Sequence, residues 1–319
     1  MYERPYAGRK PEDRGSEYNR HVPPEVLHMI ISASRRTDIP ACHFDWFMDC
    51  LNKGFVDVPN PRNAKQMRHV ALSPGSVDAF VFWTKNPIPM EPVVMDTDSI
   101  LNRYPYYFQF TLTAYGRDIE PLLPDKNELI SVFQRFSGRL GAHRMIWRYD
   151  PILISPVYDA AYHIDGFEKY AQQLSGYTDT CVISFLDEYR CMQKAMNLIK
   201  GRPPDESEIL HLSETMASTA RKYGIQLKTC SETVDLSHLK IEHGACINGE
   251  LVSRLVRDKR MEMTGSADKT GIQISLFPEE DQGFPQAKGL RGACRCAESF
   301  DIGRYDTCSN GCIYCYANR

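Results

Sequence analysis

Three cysteines near the C-terminus, Cys308, Cys312 and Cys315, form a C-x3-C-x2-C arrangement within eight residues. Three thiolates at this spacing can hold three corners of a cubane iron–sulfur cluster, which leaves one iron without a protein ligand. An open coordination position distinguishes a reactive metal centre from a closed structural one. Gly311 lets the loop bend closely around a metal and turn its amides toward the sulfides. The spacing therefore predicts a 4Fe-4S cluster on Cys308, Cys312 and Cys315. Two other readings are a structural zinc site built from the five cysteines between Cys294 and Cys315 and a closed electron-transfer cluster. Zinc sites usually pair two C-x2-C units, and this segment does not supply two such pairs.

The chain has eleven cysteines, many for a protein of the reducing cytosol, where structural disulfides are rare and metal ligation is the leading alternative. Seven of them follow residue 229. Once the three-ligand motif is set aside, Cys230, Cys246, Cys294 and Cys296 remain, the number that closes a further cubane, and they are read as a second 4Fe-4S site. The other reading of these four is unpaired thiols. Cys42, Cys50, Cys181 and Cys191 lie among apolar residues and are read as small buried side chains.

Positioning such groups needs a scaffold. Short apolar or β-branched runs at Met29–Ser34, Phe55–Val58, Ala79–Thr84, Tyr106–Thr113, Arg144–Tyr149, Thr180–Phe185 and Ile225–Cys230 predict seven buried strands. Helical periodicity lies between them: Phe44, Phe47, Met48 and Leu51 after Pro40; Leu129, Val132, Phe133 and Phe136; Phe167, Tyr170, Ala171 and Leu174. A further helix opens at Asp205, with Glu208 placed for a capping box, and ends before Gly224. Repeated β-then-α order predicts an α/β fold with a parallel sheet, closed or partly closed as a (β/α) barrel; a doubly wound open sheet is the alternative. Function in either fold sits at the carboxyl ends of the strands, where Arg36, Thr37, Asp38, Lys85 and Asp150 fall. Residues 1–26 read as a polar extension, 27–256 as the barrel core, and 257–319 as a long connection leading into the cysteine segment.

The C-terminal motif, with aromatic Tyr314 before its last cysteine, resembles the signature of the radical S-adenosylmethionine superfamily, and its C-x3-C-x-Y-C-Y form resembles spore photoproduct lyase-like members. That resemblance implies a 4Fe-4S cluster that binds S-adenosylmethionine through the amino and carboxylate groups of its methionine moiety. It also implies Tyr314 near the adenine and a reductant such as flavodoxin or ferredoxin. In that superfamily the cysteine loop follows the first barrel strand, whereas here it ends the chain, so the resemblance implies a circularly permuted barrel. The whole chain, from about residue 28, also resembles the family called domain of unknown function 1848. The resemblance rests on Ser34-Arg-Arg-Thr-Asp38-Ile-Pro40, Phe82-Trp-Thr-Lys-Asn-Pro87, Trp147-Arg-Tyr-Asp-Pro-Ile152 and Asp301-Ile-Gly-Arg-Tyr305.

With that cofactor implied, Arg36, Thr37 and Asp38 are candidates to orient its methionine carboxylate and ammonium, and Lys85 and Arg148 to meet an anionic group. The plainer readings are that Asp38 caps the next helix and that Lys85 and Arg148 form ion pairs, Arg148 with Asp150. The function expected is a radical S-adenosylmethionine enzyme of undetermined substrate. Its competitors are a DNA photoproduct lyase-like repair enzyme and a zinc-stapled binding protein without turnover. A net charge of −3 with no basic–aromatic stripe neither implies nor excludes nucleic acid. No apolar run is long enough to span a bilayer and Met1–Arg20 is not signal-like, so a cytoplasmic protein without membrane contact is expected.

Overall fold

The computed structural model describes residues 29–61, 63–265, 283–289 and 294–318. The predicted extension 1–26 and much of the predicted connection lie outside them. The strands are β1 (Met29–Ala33), β2 (Phe55–Asn60), β3 (Asn63–Ala71), β4 (Val77–Thr84), β5 (Tyr106–Thr111), β6 (Met145–Ile152), β7 (Thr180–Phe185), β8 (Gln226–Thr229), β9 (Glu242–His243) and β10 (Ser299–Asp301). The helices are α1 (Ile39–Cys42), α2 (Phe44–Lys53), α3 (Glu91–Met95), α4 (Lys126–Leu140), α5 (Ala160–Leu174), α6 (Gln193–Ile199), α7 (Glu206–Lys222) and α8 (Gly249–Gly265).

Eight strands form one sheet in the order β10-β1-β4-β5-β6-β7-β8-β9, and every pairing in it is parallel. The last strand of the chain therefore lies beside the first, with Ile30, Ile31 and Ser32 opposite Ser299, Phe300 and Asp301. The pleat sends alternate residues to opposite faces. One face carries Ile31, Phe80, Phe82, Phe108, Phe110 and Trp147, packed beneath α1 to α5 and α7. The other carries Ile30, Ala79, Val81, Tyr107, Ile146 and Val182, covered by α8 and by the segments around Cys246 and Cys296. Toward the carboxyl ends of the strands this second face turns polar, through Gln109, Thr111, Arg148 and Ser184.

Six of the seven predicted strands belong to this sheet. Phe55–Val58 does not: it pairs antiparallel with β3 in a separate hairpin. Its half-buried pattern, with Val56 and Val58 inward and Phe55 and Asp57 exposed, is that of a one-sided ribbon rather than a covered strand. The single helix expected after Pro40 is two. Asp38 caps the short α1 by accepting from the Ala41 amide at 3.0 Å, and α2 then starts at Phe44. At α7 the Asp205–Glu208 capping box is present as predicted. The connection placed from Arg257 begins later, because α8 runs through Arg257 to Gly265 on the apolar side chains of Leu251, Val252 and Leu255.

Candidate functional site

A cavity of about 480 Å3 opens at the carboxyl ends of the parallel strands. Cys230, Cys246, Cys294, Cys296, Cys308, Cys312 and Cys315 all line it, so every cysteine after residue 229 reaches one place.

The C-terminal loop is anchored at many points. Asp301, at the end of β10, accepts from Ser32 Oγ at 2.9 Å, Ser34 Oγ at 2.6 Å and the Arg35 amide at 2.8 Å, which ties β10 to the end of β1. Gly303 then passes so close to Ser34 that a Cβ would lie 1.9 Å from its hydroxyl oxygen. Farther along, Asn310 Nδ2 donates to Asp38 Oδ2 at 2.9 Å, the Ile313 amide to the Ile119 carbonyl at 3.1 Å, and Tyr316 OH to the Arg35 carbonyl at 2.9 Å. The Cys315 amide closes a turn on the Cys312 carbonyl at 3.1 Å. Gly311 adopts φ +71°, a backbone conformation that favours glycine and that the turn between Cys308 and Cys312 requires.

Beneath this loop lies an ion network. Glu120 is fully buried and accepts from Lys85 Nζ at 2.8 Å, Thr113 Oγ1 at 2.8 Å, Lys126 Nζ and Tyr314 OH. Burial alone would raise its pKa, but Lys85 and Lys126 outweigh that and hold it at about 2. Lys85 Nζ also lies 5.2 Å from the centre of the Tyr314 ring. Sequence reasoning missed Glu120, whose non-periodic surroundings between Tyr115 and Pro121 gave no signal.

The predicted site residues separate on this geometry. Thr37, Asp38, Lys85, Arg148 and Tyr314 line the cavity. Arg36 instead turns to a smaller pocket with Tyr305, its guanidinium 3.4 Å from the Gly303 carbonyl oxygen. Asp38 is both a helix cap and a cavity residue; burial raises it to about 6, although the Lys85 amide donates to it at 2.8 Å. The Arg148–Asp150 pair is present, and Arg148 also donates to Cys246 Sγ at 2.9 Å. Burial would raise Asp150, but Arg148 and Ser184 hold it below its ordinary value. Glu232, unforeseen, lines the cavity and is raised by burial to about 7. Thr37 Oγ1, Trp83 Nε1 and Ser231 Oγ belong to cavity-lining residues and are buried without hydrogen-bond partners among the described residues.

Of the cysteines read as apolar filler, Cys50 and Cys181 are buried, whereas Cys191 is exposed on the short turn before α6. Cys42 sits against the C-terminal loop, 3.2 Å from Ser309 Oγ, and accepts from the Ser309 amide at 3.4 Å. Among the described residues no three His, Cys, Asp or Glu side chains are gathered as ligands of a single metal ion.

Fold and site together define a parallel α/β protein with a thiol-lined cavity at the carboxyl ends of its strands. Over residues 30–317 the chain matches the family described as a domain of unknown function (DUF1848), and it belongs to that family. No curated protein matches it. No helix among the described residues is long and apolar enough to cross a membrane.

Proposed function

We propose that this protein is a radical S-adenosylmethionine enzyme, with a 4Fe-4S cluster on Cys308, Cys312 and Cys315 and S-adenosylmethionine bound in the adjoining cavity. The observation that carries the reading is the parallel pairing of β10 with β1, followed directly by the cysteine loop. The chain end thereby takes the place that a first strand and its cluster loop hold in such a barrel. In this reading the sheet is a partial, circularly permuted barrel whose interior is the cavity face.

The donor set fits the group. Three cysteines reach one cavity, Gly311 permits the tight loop, and a volume of about 480 Å3 lies in the range of small-molecule sites. When bound to Cys308, Cys312 and Cys315, such a cluster would supply the one-electron reduction needed for reductive cleavage of S-adenosylmethionine. The chain's own residues bind and shield. Arg148 is paired with Asp150 and shapes the wall, whereas Lys85 shares the single carboxylate of Glu120 with Lys126, so that group keeps a positive charge beneath the loop. Thr37, Trp83 and Ser231 carry the unpartnered polar atoms that a polar ligand would satisfy. Tyr314, bonded to Glu120, fixes the loop next to Cys315. A flavodoxin- or ferredoxin-like protein would deliver the electron, and the substrate is undetermined.

Iron and acid-labile sulfide analysis of anaerobically prepared protein tests the cluster. Replacing Cys308, Cys312 and Cys315 together by alanine should remove about four irons and about four sulfides per chain relative to wild type. An unchanged iron content would reject the assignment.

A further inference from the structure

We infer that Cys230, Cys246, Cys294 and Cys296 form a second, four-thiolate metal centre in the wall of the same cavity, separate from the C-terminal motif. They come from three distant stretches of chain: the end of β8, the turn before α8, and the segment leading to β10. Cys230 Sγ and Cys246 Sγ lie 3.2 Å apart. Cys246 and Cys296 are buried in one packed cluster against which Cys230 and Cys294 lie, and all four side chains line the cavity.

The backbone under these sulfurs is fixed by bonds that do not involve them. Tyr107 OH and Gln109 Nε2 each donate to the Cys246 carbonyl at 2.8 Å. The Cys230 amide donates to the Ile183 carbonyl at 3.1 Å, and the Ala297 amide to the Ile247 carbonyl at 2.9 Å. Two further donors address sulfur directly: Arg148 Nη1, on a side chain buried in the sheet, at 2.9 Å from Cys246, and the Ile247 amide at 3.4 Å from Cys296. N–H groups aimed at sulfur are the outer-shell partners that stabilise metal-bound thiolates. Close packing alone needs neither four thiols in one stretch of cavity wall nor a buried guanidinium directed at one of them.

The chemistry called for is a soft, thiophilic metal. Each thiol gives up its proton on binding, and the four thiolates take the corners of a 4Fe-4S core, which is larger than a single ion. Arg148, paired with Asp150, donates an N–H to the Cys246 sulfur from within the sheet. The inference stands independently of the reading of Cys308, Cys312 and Cys315.

The test uses the full-length chain with Cys308, Cys312 and Cys315 replaced by alanine, prepared anaerobically and reconstituted with iron and sulfide in one arm and with zinc in the other. About four irons with about four sulfides should remain bound per chain in the iron arm, and stoichiometric zinc should not be held in the other. That iron should vanish when Cys230→Ser and Cys294→Ser are added and persist when Cys191→Ser is added instead. The same count is read without the alanine background as the difference between wild type and the Cys230→Ser/Cys294→Ser variant, so a folding defect in the former does not decide the result. Absence of stoichiometric iron and sulfide, tight binding of one zinc per chain in their place, iron that survives loss of Cys230 and Cys294, or a quantitative Cys230–Cys246 disulfide in anaerobic wild-type protein would overturn it.

Discussion

Replacing Glu120 by glutamine should remove the electrostatic centre under the cysteine loop while leaving the shape of the side chain. Its carboxylate, with no solvent exposure, holds Lys85 at the end of the β4 strand, Lys126 at the start of α4, Thr113 after β5, and Tyr314 in the loop. A fall in pKa from 4.5 to about 2 on folding corresponds to about 3 kcal/mol of stability. The loss expected when one partner is deleted from a buried ion pair, about 3–5 kcal/mol, has the same size. Because folding depresses this pKa, the contribution is complete above about pH 4.5 and is lost as pH falls toward 2. Asp38 and Glu232 act in the opposite sense: their folded values of about 6 and about 7 make them favour the native state as pH falls through those values. The difference between wild type and Glu120→Gln therefore isolates Glu120. Urea unfolding of the apoprotein at pH 7, and at intervals down to pH 3, should show a loss of about 3 kcal/mol at neutral pH that narrows in acid. A loss below about 0.5 kcal/mol at pH 7, or a gap that stays constant into acid, would refute the reasoning.

Other outcomes follow from the loop anchors. Gly303→Ala puts a methyl 1.9 Å from Ser34 Oγ and 2.5 Å from Ser34 Cβ, and should cost about 1–3 kcal/mol in thermal or urea unfolding; wild-type stability would show that the chain relaxes freely there. Asp301→Ala leaves the Ser32 and Ser34 hydroxyls and the Arg35 amide without their acceptor, and should destabilise by about 2–5 kcal/mol. It should also speed thiol-reagent modification of Cys308, Cys312 and Cys315 as β10 loosens, and unchanged modification rates would argue against its anchoring role. Cys191→Ala, at an exposed position that is not part of the cavity lining, should leave iron content and stability as they are in wild type; loss of iron would place that cysteine in a metal site.

Strands buried on both faces were legible because their apolar runs are nearly continuous, as in Ala79–Thr84 and Thr180–Phe185. β10 was not. Its Ser299-Phe-Asp301 has no period to read, and it becomes a strand only through pairing with β1 and the reach of Asp301 to Ser32 and Ser34. The second half of α8 was hidden for a related reason: Arg257, Asp258, Lys259 and Arg260 break the apolar stripe that Leu251, Val252 and Leu255 begin. Among candidate site residues, the cysteines were visible by count and order. Convergence of the seven late ones on a single cavity depends on the parallel sheet bringing the ends of β8 and β10 and the turn before α8 to one side. Glu120 and Glu232 could not be found from sequence, since an isolated carboxylate acquires its meaning from burial and from the cations or amides that face it.

Incubating the anaerobic, reconstituted protein with S-adenosylmethionine and dithionite, and measuring 5'-deoxyadenosine and methionine by chromatography, tests the proposed cluster chemistry itself. Both products should form in wild type and neither in Cys312→Ala. Wild-type protein with a full iron complement that leaves S-adenosylmethionine intact, or cleavage that persists in Cys312→Ala, would contradict it.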